Sequence, residues 1–168
     1  MKRIIIVFFL LTEVSFLARA ISEYGYKGYF DFSLGVAYNI NSIRLFSSNN
    51  MQLYGEISTT HGLVIEDWYV GVGIGYYSSF YDKESMYPIF VEGRYTFKDV
   101  KMTPFLETRV GIIYDPRWIQ TVQKYGALGA GMKIYKGLHA GIRASIFSRP
   151  SRFFTANAAV FMSYSFGN

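Results

Sequence analysis

The sequence predicts an all-β protein, an eight-stranded antiparallel up-and-down transmembrane β-barrel that follows a cleaved signal peptide. Three observations carry that prediction. From Trp68 to Tyr77, bulky apolar side chains alternate with residues that are mostly glycine, so the strand has an apolar face and a second face of Tyr69, Gly71, Gly73, Gly75 and Tyr77. A soluble sheet would place wettable side chains on that second face, so the apolar face is the one expected to meet lipid. Lys2 and Arg3 precede the apolar run Ile4 to Leu11, and Ala18-Arg19-Ala20 supplies small residues at signal-peptidase spacing. The run is too short to span a bilayer as a helix. Finally, eight alternating segments follow, at about 27–38, 51–64, 68–79, 87–97, 103–114, 122–135, 138–147 and 153–166. An even number of segments of this length suits the smallest transmembrane barrels.

Residues 1–20 are therefore expected to be a signal peptide and 21–168 the barrel. Hydrophobic residues make up 51% of the chain and aromatic residues 19%, with no cysteine. Mean hydropathy is +0.14. Lys2, Arg3, Arg19 and Glu13 account for +2 of the formal +5, which leaves +3 on the mature chain and gives no case for nucleic acid. The missing cysteines remove thiol chemistry and thiolate metal sites.

Alternation assigns the faces strand by strand. Asp31 and Gly35 on the first strand and Glu56 on the second point inward, whereas His61 falls in the lipid-facing set. Val70, Val72 and Ile74 on the third strand face lipid, bracketed by Trp68 and Tyr76 as an aromatic at each interface. On the fourth, Ile89, Val91, Tyr95 and Phe97 face out while Glu92 and Arg94 face in. On the fifth, Leu106, Val110, Ile112 and Tyr114 face out while Glu107 and Arg109 face in. Gly129, Gly131 and Lys133 on the sixth strand and Gly141 and Arg143 on the seventh point inward. Tyr164 and Phe166 end the eighth strand with Val160 before them, and the expected girdle comprises Trp68, Tyr76, Tyr95, Phe97, Tyr114, Tyr164 and Phe166. Pro88 and Pro104 fall near strand starts, where proline is tolerated.

The connections alternate in length. Glu66-Asp67, Lys98 to Lys101 and Lys136-Gly137 are short, and the four others are longer, which places both termini on the periplasmic side. Pairing Phe97 with Pro104 sets Glu92 opposite Arg109 and Arg94 opposite Glu107, whereas a two-residue slip sets Glu92 against Glu107. The interior set is then Asp31, Glu56, Glu92 and Glu107 against Arg94, Arg109, Lys133 and Arg143, four of each sign. Unpaired charge in a narrow interior costs several kcal/mol per ion, so a balanced set reads as a plug, and a gated ion path is the competing reading. A soluble lipocalin-type barrel is the fold alternative, with the polarity of its two faces reversed.

The chain over 21–168 resembles the OmpA/OmpX-like family of small outer-membrane barrels, within the broad porin-family grouping of Gram-negative bacteria. The resemblance rests on phrases such as Thr103-Pro104-Phe105-Leu106-Glu107 running into Val110-Gly111-Ile112, and Gly129-Ala130-Gly131-Met132-Lys133 followed by Ala140-Gly141-Ile142-Arg143-Ala144. These are architectural phrases, shared by barrels with unrelated activities. The resemblance implies an outer-membrane location, contact with outer-membrane lipid and lipopolysaccharide, and recognition of the terminal aromatics by the barrel assembly machinery. Here Gly167 and Asn168 follow the last aromatic.

The segment from Gly141 to Ser148 resembles the strand of lipid A deacylases that ends in a His-x-Ser pair, but Ile146 stands where the histidine belongs. A serine without a general base is a poor nucleophile, and His61 and His139 both fall at the opposite, periplasmic end. No metal-ligand spacing and no cofactor motif is present, so the chain is not expected to be an enzyme. The outer loops carry Phe46, Phe80, Tyr81, Arg117, Trp118, Arg149 and Arg152, the residue types expected to contact an external surface partner. The expected role is structural or surface-interacting, in adhesion or envelope integrity. The alternative is a narrow ion or small-solute channel, and a lipid A-modifying enzyme ranks last.

Overall fold

The computed structural model describes residues 25–40, 51–80, 85–97, 102–116, 122–148 and 154–167. The signal peptide expected over 1–20 lies outside these residues. So do Phe46, Tyr81, Arg117, Trp118, Arg149 and Arg152.

Eight antiparallel strands close into one barrel: β1 (Tyr26–Ile40), β2 (Met51–Ile65), β3 (Trp68–Ser79), β4 (Ser85–Thr96), β5 (Thr103–Tyr114), β6 (Gln123–Tyr135), β7 (Leu138–Ser148) and β8 (Phe154–Gly167). Every strand pairs with its sequence neighbours, and β8 returns to β1 from Lys27↔Gly167 to Ile40↔Phe154. Closure leaves no open edge, so the strand backbone satisfies its own polar groups, the condition for a sheet to stand in hydrocarbon. Strand limits fall within two residues of the segments expected from alternation.

The β4–β5 hairpin has the register that the charges select. Glu92 lies opposite Arg109 and Arg94 opposite Glu107, and the Phe97 N–H donates to the Pro104 carbonyl at 3.0 Å. Two tight turns close the same end of the barrel, with Glu66 (φ 56°) and Gly137 (φ 75°) in left-handed conformation. Pro88 sits inside β4, not at its start. The β3–β4 ladder is interrupted beside it, between Ile74↔Ile89 and Tyr77↔Met86. Gly75 stands across from it, and a Cβ there would meet the proline ring at 3.0 Å. Lacking an N–H, the proline cannot complete the ladder, and a side-chain-free neighbour lets its ring turn inward.

Most outward positions are apolar and exposed, including Val72 (62%), Val110 (66%), Leu128 (69%) and Val160 (63%). So much exposed aliphatic surface is that of a lipid-facing band. Aromatics border it at both ends. At the turn-bearing end Trp68 packs on Tyr95 (centroids 4.8 Å apart) and Tyr95 on Phe97 (5.0 Å), with Tyr164 and Phe166 also there. At the other end Tyr76, Tyr87 and Tyr114 follow one another at 5.6 and 6.4 Å. Tyr87 extends the expected girdle: it has the same outward parity as Ile89 and Val91.

Candidate functional site: the charged lumen

The interior is filled by side chains. Asp31, Glu56, Glu92, Arg94, Glu107, Arg109 and Arg143 are all buried, at 0–4% exposure. Three arginines tie the four carboxylates together. Arg94 contacts Glu107 (2.9 Å) and Glu92 (3.0 Å), and Arg109 contacts Glu92 (2.8 Å), Glu56 (3.4 Å) and Asp31. Arg143 reaches Glu107 (2.5 Å), Asp31 (3.1 Å) and Glu56 (3.9 Å). The Ser58 hydroxyl accepts a further bond from Arg109 at 3.1 Å.

The Arg109–Asp31 pair has particular geometry. It joins β5 to β1, strands four apart in either direction around an eight-strand ring, so this guanidinium spans the full bore. Small inward neighbours leave the long side chains room to lie across. Gly71 is paired with Glu92, Ala127 with Arg109, and Gly129 stands between Glu107 and Arg143. A Cβ on Gly129 would meet the Glu107 side chain at 2.6–2.9 Å, so this glycine is a close-approach position for the carboxylate. Lys133 lies on the same inward face of β6, half-buried and nearer the Lys136-Gly137 turn.

The lumen is only partly the polar interior that the sequence suggested. Each arginine is covered by rings: Arg94 by Tyr29 (3.8 Å) and Phe105 (4.6 Å), Arg109 by Phe90 (4.5 Å), and Arg143 by Phe161 (4.4 Å). Arginine is suited to this, because its planar, weakly hydrated cation pairs with carboxylates at its edge and with aromatics at its face. On the loop-bearing side an apolar cluster lies in the bore, built around Tyr54, Tyr77, Met86, Phe90, Tyr125 and Phe147. Sequence reasoning missed most of these rings. Their signal was parity, for Phe90-x-Glu92, Phe105-x-Glu107 and Tyr54-x-Glu56 put ring and charge on one face.

The exterior carries two clusters that bear on chemistry. His61 faces outward, with Tyr26 OH at Nδ1 and Thr59 Oγ1 at 3.2 Å from Nε2, while the Thr59 hydroxyl donates to the Tyr29 carbonyl at 3.2 Å. With the threonine proton committed to a carbonyl, His61 Nε2 serves as donor, and the set is a closed hydrogen-bond relay. At the opposite end Ser148 Oγ accepts the Lys124 N–H at 3.1 Å, and the position two residues before it on that face is the exposed Ile146.

Comparison with solved structures finds the same fold. Over 84% of this chain and 97% of the other, the barrel is similar to Neisserial surface protein A, with 14% identity and a TM-score of 0.57. It is similar to the outer membrane enzyme PagL over 80% of this chain and 98% of the other, with 15% identity and a TM-score of 0.58. The fold is thus that of the small eight-stranded outer-membrane barrels. No protein-family model matches the sequence, and no curated protein matches it.

Proposed function

We propose that this chain is a barrel of the Gram-negative outer membrane, exported through its signal peptide, with a plugged lumen and a structural or surface-interaction role in adhesion or envelope integrity. The observation that carries the reading is the Arg109–Asp31 pair across the bore, in a network that leaves the centre of the lumen occupied by protein. Its activity then lies on the outside: in contact with outer-membrane lipid and lipopolysaccharide, and in an external partner met at the loop-bearing rim. Phe80, 59% exposed at the end of β3, is the described member of the expected rim set. The barrel assembly machinery is the partner during biogenesis. We read the chain as non-enzymatic, because Ser148 has an isoleucine where a base would stand and His61 lies at the opposite end of the barrel from it.

The test is a planar-bilayer recording of the protein beside Glu92→Gln and Arg109→Ala. Silence from the folded wild-type barrel is the expected result. Reproducible current steps altered by either substitution would replace this reading with a narrow ion or small-solute channel, which the run of interior charges favours as the second reading.

A further inference from the structure

The ion-pair network stops short of the turn-bearing end of the lumen, and the charges beyond it are of one sign. Among the described residues the inward cations outside the network are Lys27 on β1 and Lys133 on β6, and both lie between it and the turns. No inward carboxylate among the described residues shares that level. Asp115 is buried at the opposite end, and Glu66 and Asp67 are exposed in the β2–β3 turn. Interior charge is therefore polarised along the bore, with its positive end at the turn-bearing mouth.

His139 forms the floor of this mouth. It stands directly across from Lys133, with the two Cβ atoms about 5 Å apart. Its ring centroid is 5.6 Å from that of Tyr29 and 5.5 Å from that of Phe105. Lys27 Nζ lies 5.6 Å from the centre of the same Tyr29 ring, and the Arg94 guanidinium covers that ring at 3.8 Å. The charges acting on His139 are chiefly positive, with Arg94, Lys27 and Lys133 set against Asp31.

Beneath the lysines, donors go unused. His139 is 5% exposed, its Nε2 is 3.3 Å from the Ser165 hydroxyl, and its Nδ1 has no partner among the described residues. A hydroxyl that donates to Nε2 leaves the ring hydrogen on Nδ1, a buried donor with no acceptor. Arg94 makes both of its carboxylate contacts through Nη2, and its Nε and Nη1 have no hydrogen-bond partner among the described residues. Buried donors of this kind carry a desolvation cost until something accepts from them. Half-buried Lys27 and Lys133 form a lip that solutes reach, above a floor short of acceptors. A phosphate group supplies both the charge that the lip selects and the acceptor oxygens that the floor is missing.

We propose that the turn-bearing mouth is an anion site that takes a phosphate group, held between Lys27 and Lys133 with one oxygen on His139 Nδ1. On the membrane reading it faces the periplasm, and it is independent of what the loop-bearing rim contacts. The network behind it makes the mouth a dead end, so the anion binds without crossing.

The chain has two histidines, which makes their ring nitrogens a direct readout. The experiment is NMR of the histidine-labelled barrel, folded in a phosphate-free sugar detergent and titrated with inorganic phosphate at fixed pH, beside a chloride titration of equal ionic strength. His139 should show a saturable shift at Nδ1, while His61, outside the barrel at the same end, should not move. Lys27→Gln and Lys133→Gln should each weaken binding about tenfold, the loss of one hydrogen bond to a charged group. Lys124→Gln, at the other end of the barrel, should leave it unchanged. Heat-dependent gel mobility identifies folded barrels, and the wild-type titration keeps the test decisive if a lysine variant misfolds. A second arm places the protein in phosphatidylglycerol liposomes without free phosphate. There, a His139 ring at its bound position assigns the site to a lipid headgroup, and a ring that moves only when phosphate is added assigns it to the free ion. An unmoved His139 in both arms overturns the site, as does an equal response to chloride or undiminished binding by both lysine variants. These results leave the membrane reading standing, which fails separately if the folded chain never enters liposomes.

Discussion

The two halves of the lumen are filled by side chains of different physics. At mid-barrel, Arg94, Arg109 and Arg143 hold Asp31, Glu56, Glu92 and Glu107 in one ion-pair network. On the loop-bearing side Tyr54, Tyr77, Phe90, Tyr125 and Phe147 fill the space as an aromatic layer. The network is directional, and each member is tolerated only because its partners are present, for a desolvated ion that loses its counter-ion has no water to fall back on. The aromatic layer is non-directional, and loss of one ring leaves a void of that ring's size and no orphaned charge. Phe90 joins the halves, lying beneath the Arg109 guanidinium and against the Tyr125 ring at 5.9 Å.

That contrast predicts the order of damage. Arg109→Ala should be the most severe single change, because it takes one of two arginine partners from Asp31, Glu56 and Glu92 at once, and it should cost about 3–5 kcal/mol in reversible urea unfolding from lipid vesicles. Adding Glu92→Gln to it should recover part of the loss, as a double-mutant cycle would reveal. Additive losses in the cycle would mean that the pair carries no coupling and that the network idea is wrong. Phe147→Ala, which removes a ring packed edge-on to Tyr77 at 6.0 Å, should cost about 3 kcal/mol. Its cost should be insensitive to any carboxylate substitution. Coupling of Phe147→Ala to Glu92→Gln would erase the distinction between the halves.

The same contrast explains what the sequence disclosed. Period-two alternation is enforced by the choice between lipid and lumen, so strand limits, closure and the Glu92↔Arg109 register could be read from residue order alone. Charges on one strand pair identify their neighbour because only one register brings opposite signs together. The longer reach was not legible: that Arg109 of β5 meets Asp31 of β1, or that Arg143 of β7 meets Glu107 of β5, depends on bore diameter and on side chains crossing it. Inward rings were also hidden, because Phe90 and Phe105 read equally well as lipid contacts until parity with Glu92 and Glu107 is applied. The position of Pro88 within β4, rather than at its start, depended on Gly75 of the neighbouring strand.

The finest cut between the halves falls at Tyr125, which belongs to the aromatic layer by its ring and brings a polar atom into it. Its side chain is 5% exposed, and its hydroxyl has no hydrogen-bond partner among the described residues. If the layer acts through shape alone, that oxygen contributes nothing to closure and carries a desolvation cost. Tyr125→Phe should then leave stability unchanged or raise it by about 1 kcal/mol in the same urea titration, because removing an unpaired buried hydroxyl relieves its penalty. A loss of similar size would show instead that the hydroxyl serves the ion-pair network beneath it, through Arg109 or Glu56. The boundary between the charged and aromatic halves would then run through Tyr125 and not below it.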